Sequence, residues 1–530
     1  MKVLITDNIN KCVKDIISET AEAVFLPTMS EEEIIKIIGE YDALMVRSQT
    51  KVNRNIIEAG KKLKIIGRAG VGVDNIDVNS ATEKGIIVVN SPDGNTIAAS
   101  EHTIALMLAI SRNIVPASQS TKEGKWNRDA FTGTELFGKT LGVMGFGRIG
   151  RKVVNIALSI GMKVIVYDPF ANEETVNKAC ALYETSLDNF LKALDYLSIH
   201  IPKTSDTINI INKENINKMK KGAIIINCSR GGLVNENDLK EALENGQISA
   251  AAIDVYENEP KIETCPLINY NGNNIILTPH LGASTKEAQI NVALDVASQI
   301  KKVLSGGYTD SAVNILSLNP EKLEPVKDYM NISENAGEII GQISKGKIKS
   351  FEITAYGELI KLDIEPLEVA ILKGALSSIF HDVNYVNAPF LAKQRGIEIK
   401  IIKSEAPSSF TSLLKVKMTT DIETNSVSVS LIAKNIARIV KLNDYDVIIK
   451  PNEHILIVPH INQVAMVAKV ANTLCEENIN IGSMNVSQNI KGSDMSIMVI
   501  DIDTALSEEM LNKISKIEGV HNPKCIKLNV

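Results

Sequence analysis

Arg230, Glu259 and His280 each stand just past an apolar run: "AIIINCS" leads to the arginine, "ISAAAIDVY" to the glutamate and "NIILTP" to the histidine. Such β-branched runs read as buried strands, and open parallel sheets bind their ligands beyond the carboxyl ends of strands. Imidazole accepts a proton near neutral pH. A carboxylate beside it fixes the tautomer and stabilises the imidazolium, and a guanidinium fork can hold both a carboxylate and a neighbouring carbonyl oxygen. Together these groups meet the needs of a hydroxy acid that loses a proton from oxygen as hydride leaves carbon. Each also has a plain structural reading: Arg230 as a solvated loop charge, Glu259 as a surface turn before Pro260, His280 as a strand cap.

A second pattern supplies the other half of that chemistry. Gly145, Gly147 and Gly150 form G-x-G-x-x-G between the strand-like "TLGVM" and the helical "RKVVNIALSI". The first two glycines allow a tight turn and close approach of backbone to a pyrophosphate, the third allows strand and helix to pack, and the helix N-terminus offers aligned N–H groups. "KVIVYD" ends at Asp168, where an acid bonds the adenosine ribose hydroxyls. A carboxylate there repels the extra phosphate of NADP, and no arginine follows in "YDPFANEE", so NAD is the expected cofactor. An N-cap role for Asp168 would leave the glycines unexplained.

The elements that must position these groups follow a regular rhythm. "KVLITD", "AVFLP", "ALMVRS", "KIIGRAG" and "IIVVNSP" alternate with helical segments, and Ser30 with Glu33 forms a capping box. A second series runs from "TLGVM" through "KVIVYD", "LDYLSIHIP" and the three runs above, which predicts two doubly wound parallel sheets. A helix from about Lys286 to Leu304 has no strand of its own and can lead the chain back to the first domain. The expected division is α/β: residues 1–95 with 285–315 as a discontinuous substrate (lid) domain, and 96–284 as a Rossmann NAD domain. An α+β intervening domain follows at 316–451, then a ferredoxin-like βαββαβ domain at 452–530.

Bulk properties exclude other classes. The 530 residues hold 57 basic and 63 acidic side chains, a net charge of −6 with no basic stripe, which argues against a nucleic-acid surface. No run is long enough to span a bilayer, and "MKVLITD" lacks a secretory signal, so a cytoplasmic, soluble chain is expected. Six cysteines without C-x-x-C spacing suit reduced, mostly buried thiols, and no metal site is expected.

"GRAGVGVDNIDV", "GFGRIG", "NCSRGGLVNENDL", "AAIDVYENEP" and "TPHLGAST" closely resemble the D-2-hydroxyacid dehydrogenase family, most of all its D-3-phosphoglycerate dehydrogenases. The resemblance covers nearly the whole chain, because the long form of those enzymes also has an intervening and a terminal ACT domain. It implies oxidation of 3-phospho-D-glycerate with Arg230, Glu259 and His280 as catalytic set. It also implies NAD contacts at Arg148, Ile149, Asp168, Ser229, Asp254 and Ala283, with Cys228 and Gly282 in the same stretches. Arg47, Ser48, Gly70, Val71 and Asn95 match positions that bind substrate or line the cleft, Arg47 resembling the phosphate-holding group. Trp126, the only tryptophan, sits in a segment like the one that crosses to a partner subunit in a dimer or tetramer; the other reading is a core tryptophan.

The ACT resemblance implies an amino-acid effector, L-serine, bound between protomers. "HINQVA" keeps His460 and Asn462 of the family's His-x-Asn-Arg-Pro-Gly motif but replaces its last three residues, and Asn480 matches a further ligand position. In the intervening domain Lys393 and Arg395 either hold an anion or are solvated helix-end charges. Two other functions share the central motifs: reduction of a different 2-keto acid, and NAD sensing without catalysis.

Overall fold

The β-branched runs fold as strands whose order decides where their ends meet. The computed structural model describes residues 1–307, 309, 311–315, 320–406, 409–433 and 436–529. Its first sheet is fully parallel: β1 (Lys2–Ile5), β2 (Glu22–Phe25), β3 (Ala43–Val46), β4 (Ile65–Arg68) and β5 (Ile87–Val89), in the order β2-β1-β3-β4-β5. The Ser30–Glu33 capping box is present at the helix Glu31–Ile37. The helix Lys286–Leu304 packs on this sheet, burying Val292, Val296, Ile300 and Leu304 with Val3, Ile5 and Ile65. Each fully buried aliphatic side chain contributes roughly 1.5–3 kcal/mol. Gly67 makes the approach possible, since a Cβ there would lie 2.5 Å from Val296 Cγ1. Beyond the helix, Val313 N–H donates to Val88 O at 2.7 Å, so the chain closes on the sheet it began with.

The second sheet is also fully parallel. Its strands are β6 (Thr140–Met144), β7 (Lys163–Tyr167), β8 (Leu182–Tyr183), β9 (Tyr196–Ile199), β10 (Ala223–Asn227), β11 (Ile248–Ile253) and β12 (Ile275–Leu277). They lie in the order β12-β11-β10-β9-β6-β7-β8, so the chain reverses direction across the sheet between β6 and β9. Ligands bind at such a switch point. The long helix Thr96–Ser111 joins the two sheets and packs on the helix Arg148–Ser159.

A six-stranded mixed sheet follows, in which Ile348–Gly357 runs parallel to Glu398–Ser404 and antiparallel to Ser412–Thr420. The helices Lys327–Ile343 and Glu365–Ser377 cover it in close contact: a Cβ on Gly337 would lie 2.1 Å from Ile371 O, and one on Gly374 2.1 Å from Glu334 O. The last sheet has the order Ile481–Gln488, Met495–Ile502, His454–Ile461, Lys524–Lys527, all antiparallel, in a βαββαβ chain. Lys327–Ile343 serves both sheets, because Gln342 exchanges two hydrogen bonds with the Lys527 backbone at 2.7 and 3.0 Å. Among the described residues no helix is long and apolar enough to cross a membrane.

One expectation fails. All six cysteines are free, but Cys265 alone is buried and Cys180 and Cys475 are exposed. Position 316, where the third segment was expected to begin, lies outside the described residues.

Candidate active site

The glycine turn has the shape its composition implies. Gly145 adopts φ +99°, and its N–H donates to Tyr167 O at 2.9 Å, which ties the turn to the end of β7. A Cβ on Gly150 would lie 2.1 Å from Gly145 O and one on Gly145 2.6 Å from His200 O, whereas one on Gly147 would meet nothing within 4 Å. The turn is thus closed toward the protein and open on its outer side, as a backbone cradle for pyrophosphate requires. Asp168 accepts from Phe146 N–H at 2.8 Å and Phe170 N–H at 2.9 Å, so the residue expected at the ribose also braces the turn. Arg148 opens the following helix and its Nε pairs with Asp93 Oδ1 at 2.5 Å; Ile149 packs on the core beneath. These residues fit a dinucleotide.

At the neighbouring strand ends the catalytic candidates converge. His280 Nδ1 and Glu259 Oε2 are 2.6 Å apart, and Tyr256 N–H donates to Glu259 Oε1 at 2.7 Å. A carboxylate only accepts, so Nδ1 carries the proton and Nε2 presents a lone pair. His280 has φ +56°, a strained backbone for a residue with a side chain, held by its N–H donating to Asp254 O at 2.9 Å.

Asp254 organises this loop from below. Its side chain is fully enclosed and accepts from Thr278 Oγ1 (2.6 Å), Leu281 N–H (2.8 Å) and Gly282 N–H (3.0 Å), with His102 Nε2 at 3.3 Å. Burial would raise its pKa, but the hydrogen bonds from His102, Thr278 and Leu281 outweigh it and hold the carboxyl below its ordinary value. Ala283 follows the loop, half-buried. Burial pushes the Cys228 thiol up to about 12. His102, Cys228 and Asp254 bring ligand atoms within 4.8 Å of one another, the one such group among the described residues. Both Asp254 oxygens already accept hydrogen bonds and the thiol is held protonated, so the group is a hydrogen-bonded support for the loop.

Arg230 reaches out of this half of the molecule. Ser229 Oγ donates to Ile201 O at 2.8 Å, and Arg230 Nη1 donates to Ser229 O at 2.8 Å. Gly231 lies against Tyr256 O, where a Cβ would intrude to 1.8 Å, so the turns after β10 and β11 touch. Across the cleft Arg230 Nε stands 3.3 Å from Asp74 Oδ2, and a Cβ on Gly72 would sit 2.3 Å from Arg230 Nη2. The loop 70–74 of the first sheet therefore faces the arginine directly. Gly70 lies over Arg68, Val71 O accepts from Asn90 Nδ2, and Arg47 and Ser48 follow β3, the first half-buried and the second exposed. Asn95 Oδ1, Ser91 Oγ and Thr96 Oγ1 are buried with no hydrogen-bond partner among the described residues, atoms that a ligand can satisfy.

Arg68 escaped the sequence reading. Burial, then Arg230, with Asp74 opposing and Arg47 adding, takes its guanidinium down to about 10. Three arginines therefore crowd one cleft, with Asp74 and Asp7 as the acids among them. The signal was present: Arg68 ends the run "KIIGR", the same strand-end criterion that singles out Arg230, Glu259 and His280.

Residues 104–282 match the family described as D-isomer specific 2-hydroxyacid dehydrogenase, NAD binding domain, and residues 325–443 the D-3-phosphoglycerate dehydrogenase intervening domain. A D-3-phosphoglycerate dehydrogenase of Synechocystis is 43% identical over 99% of this chain and 95% of that protein. One from Methanocaldococcus jannaschii is 41% identical over the full length of both. Among solved structures, a D-lactate dehydrogenase from Aquifex aeolicus complexed with NAD and lactic acid aligns with TM-score 0.52 at 27% identity, over 57% of this chain and 96% of that one. The chain belongs to the D-2-hydroxyacid dehydrogenase family. It is an NAD-dependent oxidoreductase of the D-3-phosphoglycerate dehydrogenase branch.

The remaining candidates of this dehydrogenase lie elsewhere. Trp126 is 84% exposed, which removes the core reading. Arg395 stacks on Phe380 at 4.4 Å, and Lys393 is exposed in the last turn of its helix. His460 is buried, its Nδ1 2.8 Å from Ile461 O and its Nε2 without a partner among the described residues. Asn462 follows on the surface, and Asn480 N–H donates to Asp503 Oδ1 at 3.2 Å. The register pairs His460 with Ser496, but Ile481, next to Asn480, with Ile502. That offset of six residues puts Asn480 roughly 20 Å from His460, at the opposite end of the sheet.

Proposed function

We propose that this chain oxidises 3-phospho-D-glycerate to 3-phosphohydroxypyruvate, the step that opens L-serine synthesis. The observation that carries the reading is the crowding of Arg47, Arg68 and Arg230 in the cleft beside the His280–Glu259 pair. Three guanidiniums close enough to depress one of them call for a multiply charged anion, and a phosphorylated hydroxy acid brings a carboxylate and a phosphate.

Arg230 holds the substrate carboxylate, which replaces Asp74 as its partner, and Arg47 with Arg68 holds the phosphate. His280 Nε2 takes the proton of the C2 hydroxyl, and Glu259 stabilises the imidazolium through Nδ1. NAD, bound along Gly145–Gly150 and Asp168, supplies the acceptor for the hydrogen on C2. The buried loop held by Asp254 keeps the imidazole aimed while the charge on it changes.

His460 with Asn462 binds L-serine in concert with Asn480 of a second copy, because one sheet keeps the two ends apart. Exposed Trp126 and Phe137 suit a dimer or tetramer contact. A charged, phosphorylated substrate and a nucleotide cofactor suit the cytoplasm. The chain divides as 1–95 with 285–315, 96–284, 316–451 and 452–530. The test is NADH oxidation with phosphohydroxypyruvate, with and without L-serine. Absence of reduction overturns the activity; rates unchanged at millimolar serine overturn the effector.

A further inference from the structure

The loop Arg47–Thr50 carries a cleft-facing guanidinium, yet its backbone is held by two side chains that come from distant points of the sequence. Asp7, 3% exposed, accepts from Arg47 N–H (2.8 Å) and Thr50 N–H (3.0 Å) through Oδ2 and from Thr50 Oγ1 (2.6 Å) through Oδ1. Asn75 completes the same two residues from the other side: Nδ2 donates to Arg47 O at 2.7 Å and to Thr50 O at 2.6 Å. Both N–H groups and both carbonyls of Arg47 and Thr50 are thus satisfied by one acid and one amide. Asn75 Oδ1 meanwhile accepts from Arg68 Nε at 3.1 Å. A single side chain therefore ties the backbone under one arginine to the head group of another.

We propose that Asn75 is the positioning residue that sets the spacing between the Arg47 and Arg68 guanidiniums, and with it selectivity for a phosphorylated acid. The inference rests on the reading that those two arginines hold the phosphate. An amide is required at this position. Aspartate would set carboxylate oxygens against two carbonyls, and alanine would leave both carbonyls and Arg68 Nε without partners. Asp7 is matched to the other side, because its Oδ2 takes both backbone N–H groups and its Oδ1 the Thr50 hydroxyl. Arg230 is carried by the other sheet and donates to its own neighbour Ser229 O, with no hydrogen bond to Asn75 or Asp7, so the grip on the substrate carboxylate and the His280–Glu259 pair should persist when the bracket is broken.

The experiment compares wild type and Asn75→Ala in NADH-dependent reduction of phosphohydroxypyruvate and of hydroxypyruvate, the same keto acid without its phosphate. We expect KM for phosphohydroxypyruvate to rise about 10–100-fold with kcat within about 3-fold, and kcat/KM for hydroxypyruvate to stay within about 3-fold. Equal losses on both substrates, or no change on either, would overturn the assignment. If Asn75→Ala does not accumulate as folded protein, Asn75→Asp, which preserves side-chain volume, takes its place with the same expected split. A wild-type protein that reduces hydroxypyruvate but not phosphohydroxypyruvate overturns the functional reading itself, a result the variants cannot mimic.

Discussion

Asp254 beneath the catalytic loop and Glu338 in the helix shared by the third and fourth sheets are both buried, yet their carboxyls are pushed in opposite directions. For Asp254 burial is outweighed by hydrogen bonds from His102, Thr278 and Leu281, and the pKa falls below 3.8. For Glu338 burial, joined by the like charge of Glu334, outweighs Asn529, through its N–H at 3.0 Å and its side-chain amide at 2.5 Å, and the charge of Lys373, and the pKa rises above 4.5. Burial is common to both; the donors facing each carboxyl, together with the charges beside it, decide the sign. The catalytic half is built around a hydrogen-bonded anchor whose charged form is favoured, whereas the joint between the last two sheets carries a carboxyl whose charged form is disfavoured.

If the catalytic half is such a fixed frame, removing its reacting group should cost turnover and little else. His280→Ala is expected to lower kcat by roughly 10²–10⁴-fold while NAD affinity, measured by quenching or calorimetry, persists. Loss of NAD binding instead would make His280 a structural cap and remove the contrast with the joint.

The anchor itself should be expensive to remove. Asp254→Ala leaves the Leu281 and Gly282 N–H groups and Thr278 without an acceptor, and breaking such a buried network costs about 3–5 kcal/mol. A fall in melting temperature together with kcat is expected, from the loop that carries His280. Glu338→Ala, which frees Asn529 at the edge of the last sheet, should cost less than half as much; equal costs would show that donor count is not what separates the two sites.

A milder change probes the cofactor end of the frame. Gly150→Ala places a methyl 2.1 Å from Gly145 O, and the turn must open to admit it. Overpacking of this kind costs about 1–3 kcal/mol. NAD binding weakened at least about 10-fold, with the fold retained, is the expected outcome of a binding titration. Unchanged affinity would mean that the turn has slack the geometry denies.

Much of this frame was readable before any coordinates. The helix Lys286–Leu304 starts and stops where its apolar period does, and the glycines and strand-end residues fell where short-range chemistry requires them. What stayed hidden depends on contacts across long separations. Asp7 meets Thr50 over 43 residues, and Asn75 reaches back 28 to Arg47, so no local pattern marks either as a bracket. Arg68 was absorbed into a strand because its run is apolar up to that point. The two-residue strand Leu182–Tyr183 is too short to show alternation. The family resemblance marks Asp254 only as a cofactor contact, and its complete burial reveals the loop it holds.

The smallest expected effect isolates the joint. A carboxyl whose folded pKa is raised stabilises the fold fully below its unfolded value, near 4.5, and that contribution is lost as pH rises through the folded value. Asp254 works in the other direction: its contribution is present above 3.8 and is lost only as pH falls through the lowered folded value. Above about pH 4.5, then, Asp254 contributes a constant amount, and Glu338 a declining one until its raised folded value is passed. Melting curves of the wild type over that interval should drift downward with pH, and Glu338→Gln, which cannot ionise, should flatten the drift while leaving the acid limb below pH 4 in place. Parallel curves for the two proteins would show that Glu338 keeps an ordinary titration, and the contrast between joint and catalytic half would rest on packing alone.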